Sequence, residues 1–276
     1  MSAAAGGKVA LITGGARGIG ADAGERLAGR GWRVALVDRE REAVERRAEA
    51  IGERAIGIAA DVTDLRAMEA AAAECAERLG GIDAVVANAG VNGAAASVRR
   101  VDPAAFEQVL EVNLMGVWRS VRAALPHVVE RRGYVLAIAS LAAVAPLPLS
   151  TAYATSKAGV EAFARNLRME LAYTGTEVGI GYFGFIDTVL SNTASSHPLA
   201  QKARSGIPGP LAKRYPVGVA GAAVARGVEA RSRRVCAPRW LPALLALRGL
   251  TWGLDARGAR RPDLVEACRM ADAGPE

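Results

Sequence analysis

Short apolar runs alternating with longer alanine-rich segments constrain the fold of this chain more than any other feature. Strands are expected at Val9–Thr13, Val34–Asp38, Ala55–Ala60, Ala84–Asn88, Tyr134–Ala139, Val178–Phe183 and Arg234–Ala237. They read as near-continuous apolar stretches, as strands covered by helices on both faces do. Between them, segments 18–30, 40–51, 64–79, 103–125, 152–174 and 217–230 have helical length and composition, enough to cross over between parallel strands. Asp64 precedes one helix, and Asp102-Pro103 is an N-cap with proline at the first helical position. The pattern implies an α/β fold: a doubly wound, seven-stranded parallel sheet of Rossmann type flanked by helices. Residues 1–237 are expected to form one domain and 238–276 a helical C-terminal extension.

Composition excludes several classes. Of 276 residues, 51% are hydrophobic and 23% charged, which suits a folded globular chain rather than a disordered or fibrous one. The net charge of +7 raises the question of nucleic acid. The Asp38–Glu49 stretch alternates in sign like a solvated helix face, and no helix-turn-helix, zinc-finger or RNP pattern occurs, so no nucleic-acid partner is expected. Cys75, Cys236 and Cys268 form no CxxC pair, so neither a disulfide framework nor a zinc site is suggested and a reducing cytoplasm fits. The amino terminus lacks the basic and apolar regions of a secretion signal. No apolar segment reaches the ~20 residues that span a bilayer.

Val9–Thr13 runs into Thr13-Gly-Gly-Ala-Arg-Gly-Ile-Gly20 and then a helix. Gly14, Gly18 and Gly20 permit a tight turn, backbone approach to a pyrophosphate and close helix packing, with Arg17 and Ile19 between them. Their spacing is G-x-x-x-G-x-G, unlike the G-x-G-x-x-G fingerprint. The second strand ends at Asp38, where a carboxylate either accepts both hydroxyls of an adenine ribose or caps the next helix. At ~5 Å and an effective dielectric near 20 it would repel each unit charge of a 2′-phosphate by ~3 kcal/mol. NAD is therefore the expected cofactor. NADP ranks second, because Arg17 and Arg39 lie close enough in sequence to grip a phosphate.

The strand from Tyr134 presents Ser140 at its carboxyl end, the edge where open α/β sheets bind ligands. Tyr153-Ala-Thr-Ser-Lys157 follows, placing phenol and amine at i and i+4 on one helix face. A tyrosine with an intrinsic pKa near ~10 needs ~3 to 4 kcal/mol of help to act as a base near neutrality. An ammonium at ~4 Å supplies about that.

In these motifs, together with Asp61-Val62, Asn88-Ala89-Gly90 and Asn113, the chain resembles the short-chain dehydrogenase/reductase family, compact single-domain branch, over residues 8 to about 237. The resemblance implies that Tyr153 exchanges a proton with the substrate oxygen and that Ser140 hydrogen-bonds it. Lys157 would acidify the tyrosine and hold the nicotinamide ribose, and Asn113 would support a water relay. Asp61 and Val62 would contact the adenine, Asn88, Ala89 and Gly90 would line the adenosine side, and Gly184, Ile186 and Thr188 would border the nicotinamide. Two departures stand out: Phe183-Gly184 replaces the usual Pro-Gly, adding an aromatic wall, and Ala87 precedes Asn88 where a second Asn is frequent. A homodimer or homotetramer is also implied. The two histidines, His127 and His197, have no second ligand at metal spacing, so no metal is expected, and Ser140 lacks the glycines of a nucleophile elbow.

Residues 189–216 have the composition of a lid. Leu190, Leu199, Ile207, Leu211 and Tyr215, with Phe183, Phe185 and the apolar 142–149 loop, suggest a hydrophobic secondary alcohol or ketone as substrate. Beyond Pro238, the stretch Trp240–Leu254 is expected to pack on the domain or a partner subunit, with a membrane surface as the second reading; a charged helix is expected near Pro262–Met270. The rival functional reading is a cofactor-sensing protein with little turnover. A sugar-nucleotide epimerase or dehydratase fits less well, because the glycine spacing differs and no sizeable substrate domain follows.

Overall fold

The computed structural model describes residues 7–145, 147–189, 191, 197–205, 207, 209–249 and 260–273. Its strands are β1 (Val9–Thr13), β2 (Arg33–Asp38), β3 (Ala55–Ala59), β4 (Ala84–Ala87), β5 (Tyr134–Ile138), β6 (Glu177–Phe183), β7 (Ile186–Asp187), β8 (Tyr215–Pro216) and β9 (Arg234–Ala237). Seven of them form one parallel sheet in the order β3-β2-β1-β4-β5-β6-β9. Each expected strand is present, with boundaries within one residue. The helices are α1 (Gly18–Ala28), α2 (Arg41–Ile51), α3 (Leu65–Leu79), α4 (Pro103–Leu110), α5 (Gly116–Glu130), α6 (Thr151–Glu170), α7 (Pro198–Arg204), α8 (Gly209–Ala212), α9 (Val217–Glu229), α10 (Leu241–Ala246) and α11 (Pro262–Ala273).

The pleat sends alternate residues of each strand to opposite faces. Val9, Leu11, Val37, Val85 and Val135 join Met68 of α3, Val121 of α5 and Val160 of α6 in one core. Ala10, Ile12, Leu36, Val86 and Leu136 join Leu27 of α1, Val44 of α2 and Val224 of α9 in the other. Each fully buried Leu, Ile or Val contributes about 1.5–3 kcal/mol, so the two-sided burial holds the sheet between its helical layers.

The helix starts follow their sequence signals. Asp64 accepts the N–H groups of Arg66 (2.8 Å) and Ala67 (3.1 Å), and Asp102 accepts that of Ala105 (3.2 Å). The helix expected over 103–125 instead comprises α4, a π turn at Glu111–Met115 and α5, which continues through Pro126 to Glu130. Burial of Ala124 and Val128 on either side of the proline outweighs its missing N–H. α6 stops at Glu170, followed by a 3-10 turn at Ala172–Thr174 and Gly175 at φ +77°.

The C-terminal segment rests on the domain. α10 buries Leu241 and Leu245 in the core beneath α6. α11 lays Leu264, Ala267 and Ala271 against Leu149 and Ala203. It is tied by Asp272 to the Ser97 hydroxyl and to Arg99 (3.0 Å), and by Glu266 to Lys202 (3.7 Å). Among the described residues no helix is long and apolar enough to cross a membrane; residues 250–254 of the apolar stretch lie outside them.

Candidate active site

The strand order reverses between β1 and β4, so their carboxyl ends flank the crevice where such sheets bind ligands. Thr13 ties the two ends together: its hydroxyl oxygen accepts the N–H groups of Asn88 (3.0 Å) and Ala89 (3.1 Å). The Asn88 amide donates back to the carbonyls of Thr13 (2.9 Å) and Gly14 (3.3 Å). Gly14 takes φ +65°, and a Cβ on Gly20 would lie 2.3 Å from the Gly14 carbonyl oxygen, so the loop folds this tightly only without side chains there. Gly18 also has positive φ and faces the Thr188 methyl. No side chain caps the start of α1 and its first turn holds no acid, which leaves the leading N–H groups suited to an anion.

Asp38 braces this loop, its carboxylate accepting the N–H of Ala16 (3.1 Å) and, more weakly, of Glu40 (3.3 Å). Arg17 pairs with Glu40, while Arg39 is exposed. Ile19 packs partly on the core. Asp61 folds its own turn by accepting the N–H and hydroxyl of Thr63 (both 2.9 Å), and Val62 is buried in the core. The glycine cradle, the uncapped helix and the acid at the end of β2 fit a dinucleotide: the loop would hold its pyrophosphate and Asp38 its adenosine ribose.

The π turn sets Asn113 inward, fully buried. Its Oδ1 accepts the Val91 N–H (2.7 Å), and its amide donates to the Val91 carbonyl (2.9 Å) and the Ser156 hydroxyl (3.2 Å). Lys157, also buried, donates from Nζ to the Ile138 carbonyl at the end of β5 (2.9 Å). Gly90 lies between them: a Cβ there would sit 3.1 Å from Asn113 Oδ1 and 3.7 Å from Lys157 Nζ. Ser140 accepts the Ala142 N–H (3.1 Å), as a strand-end cap would, and its hydroxyl lies near the Tyr153 phenol. The structure thus brings Asn113, Ser140, Tyr153 and Lys157 together at the ends of β4 and β5.

The electrostatics differ from the sequence expectation. Burial holds the Tyr153 phenol above its ordinary value, opposed by the nearby Ser140 hydroxyl. Burial also pushes Lys157 down from 10.5 to about 8. The ammonium sits 5.8 Å from the centre of the Tyr153 ring, anchored on Ile138, and desolvation outweighs its attraction for a phenolate.

On the substrate side, Phe183 is buried in the core shared with α1 and α9. It supplies packing rather than the expected aromatic wall. Gly184 donates its N–H to the Ala237 carbonyl (2.9 Å), and Ile186 is buried. Thr188 and Ser191 exchange backbone-to-hydroxyl bonds (3.1 Å each), and Arg214 donates to Ser191 (2.8 Å). Arg204 of α7 stacks 4.1 Å from the centre of Phe185. Leu199 turns toward α11, and Tyr215 accepts the Trp240 ring N–H (3.3 Å). Leu190 and Pro146 lie outside the described residues, as does the side chain of Leu211. The supporting residues Thr13, Ser156 and Ser191 escaped sequence reasoning. Thr13 alone carried a signal, as a hydroxyl closing an apolar strand beside the glycines.

The parallel sheet with its glycine-rich crevice is that of a nucleotide-dependent oxidoreductase, and the chain belongs to the short-chain dehydrogenase/reductase family. The short chain dehydrogenase family profile matches residues 8–198. The chain is 32% identical to 2-(R)-hydroxypropyl-CoM dehydrogenase of Xanthobacter autotrophicus, covering 69% of this chain and 79% of that one. It is 34% identical to L-2,3-butanediol dehydrogenase of Corynebacterium glutamicum, covering 67% and 77%. Among solved structures it resembles levodione reductase (TM-score 0.78, 27% identity, covering 86% and 98%). It also resembles a 3-ketoacyl-(acyl-carrier-protein) reductase from Brucella melitensis complexed with NADH (TM-score 0.74, 27% identity, covering 84% and 97%).

Proposed function

We propose that this protein is an NAD-linked dehydrogenase/reductase that interconverts a hydrophobic secondary alcohol and its ketone, with Tyr153 as acid and base. The convergence of Ser140, Tyr153, Lys157 and Asn113 beside the glycine loop carries this reading. Asp38 supports the preference for NAD over NADP, since the nearby Arg17 is already paired with Glu40. When bound, the dinucleotide supplies or accepts the hydride. Ser140 and Tyr153 then hold the substrate oxygen where negative charge develops during reduction. Tyr153, kept protonated by burial, delivers its proton to that oxygen. The Lys157 ammonium stabilises the phenolate left behind, and Asn113 fixes the Val91 segment beside them.

The apolar 142–149 loop, with Val144 and the preceding Leu141 partly buried against the core, supports a lipophilic substrate. The three free cysteines suit a reducing cytoplasm. Exposed Met115 and Trp118 along the π turn and α5 supply apolar surface for pairing of long helices in a homo-oligomer.

Replacing Tyr153 with Phe tests the assignment. Turnover of lipophilic ketones with NADH should fall by about 10²–10⁴-fold, while the affinity for NADH, read by fluorescence, stays within about threefold. Full activity in that variant ends the proposal, and faster turnover of small polyols than of lipophilic alcohols ends the substrate reading.

A further inference from the structure

Beyond Lys157, α6 continues through Glu161, Arg165 and Arg168 to a second concavity, about 380 Å³ in volume, at the β6–β9 edge of the sheet. Five guanidinium groups line it: Arg165 and Arg168 from α6, Arg233 and Arg234 at the start of β9, and Arg248 after α10. Among the described residues Glu161 is the one carboxylate in the lining, and its charge is already engaged. It is buried and pairs with Arg248 and with Arg165 (3.6 Å). Arg168, Arg233 and Arg234 have no carboxylate partner among the described residues, which leaves an excess of positive charge. Arg168 is fixed in place, donating to the carbonyls of Val178 (2.8 Å) and Arg233 (3.1 Å). Burial, and then the charge of Arg233, lower its pKa. Ile180 and Leu245, both buried in the core, form its floor.

We propose that this concavity binds a multiply charged phosphate or polyphosphate anion, at a site separate from the glycine loop. Guanidinium forks match phosphate oxygens in paired hydrogen bonds. A ligand with one negative charge would leave most of the excess uncompensated, whereas a phosphate or polyphosphate group meets several forks at once. Glu161 orients Arg165 and Arg248 from below without cancelling the site's sign.

The test is calorimetric titration of the full-length protein with inorganic tripolyphosphate at low ionic strength, with and without saturating NADH. Saturable binding that persists with NADH is expected, weakening as salt rises. The Arg233→Ala/Arg234→Ala double variant should lose at least about tenfold in affinity, because both residues are exposed and their removal spares the core. Arg233→Lys/Arg234→Lys should recover part of the loss. Absence of binding, unchanged affinity in the alanine variant, or displacement by NADH overturns the proposal. So does a change in oligomeric state of the alanine variant by light scattering, which would assign the arginines to an acidic surface of a second copy. If NADH itself fails to bind, the dinucleotide reading falls, while the arginine variants still decide this one.

Discussion

Replacing Lys157 with methionine is expected to stabilise the protein at neutral pH in the absence of dinucleotide while abolishing turnover. Burial moves this lysine from 10.5 to about 8, which amounts to ~3 kcal/mol against the charged form relative to the unfolded chain. Methionine fills a similar volume with no charge, but it gives up the hydrogen bond from Nζ to Ile138, worth about 1 kcal/mol. The net gain is ~2 kcal/mol, or roughly 4–8 °C in Tm for a domain of this size. The pH dependence separates this account from better packing alone. The folded-state pKa lies below the unfolded one, so the unfolded chain binds more protons between about pH 8 and 10.5. Wild-type stability therefore gains from this group as pH rises through that window, and its penalty is complete below it. The variant lacks that slope, so the gap between the two proteins should close toward pH 10.5. Urea unfolding at several pH values measures it. A variant less stable than wild type near neutrality, or a gap that does not change with pH, would refute the reasoning.

Three other perturbations probe separate parts of the site. Asp38→Ser removes the repulsion of ~3 kcal/mol from a 2′-phosphate, so the ratio of kcat/KM for NAD over NADP should fall at least about tenfold; an unchanged ratio means that Asp38 does not choose the cofactor. Gly90→Ala places a methyl group 3.1 Å from Asn113 Oδ1, and kcat is expected to drop about tenfold while the KM for NAD holds; undiminished kcat would show that the Asn113–Lys157 spacing is not critical. Asp272→Ala releases α11 from Ser97 and Arg99. Stability should change by less than about 1 kcal/mol, with KM for the alcohol rising and KM for NAD unaltered; the reverse split of the two constants would mean that α11 does not brace the substrate side.

The sheet was legible because burial on both faces leaves strands as apolar runs, and the site because parallel topology gathers strand ends at one edge. Val9–Thr13 and Tyr134–Ile138 could be placed for the first reason, and Gly14, Asn88 and Ser140 for the second. The short strands flanking the proposed lid were not legible in the same way. β7 and β8 have two residues each, too short to carry a period, and they hold through the pairing of Ile186 with Tyr215 and of Asp187 with Pro216. Nor does any residue pattern announce the π turn at Glu111–Met115. Its effect is visible only through what Asn113 touches.

Two differences at the site have a common origin in burial. The spacing of Tyr153 and Lys157 predicts that they share a helix face, and they do, but the direction of a pKa depends on how far each group has left water. Here the amine reaches the Ile138 carbonyl and both groups are desolvated, so the phenol is held as an acid at rest. Phe183 follows a simpler rule. Val178, Ile180 and Tyr182 lie in the core beneath α6, whereas Phe183 joins the core beneath α1 and α9. Parity along β6 assigns it to that face, since Tyr182 and Phe183 point in opposite directions. The aromatic therefore anchors the strand end from which Gly184 and Thr188 depart, and a Phe183→Ala substitution acts on those residues only through the position of that strand.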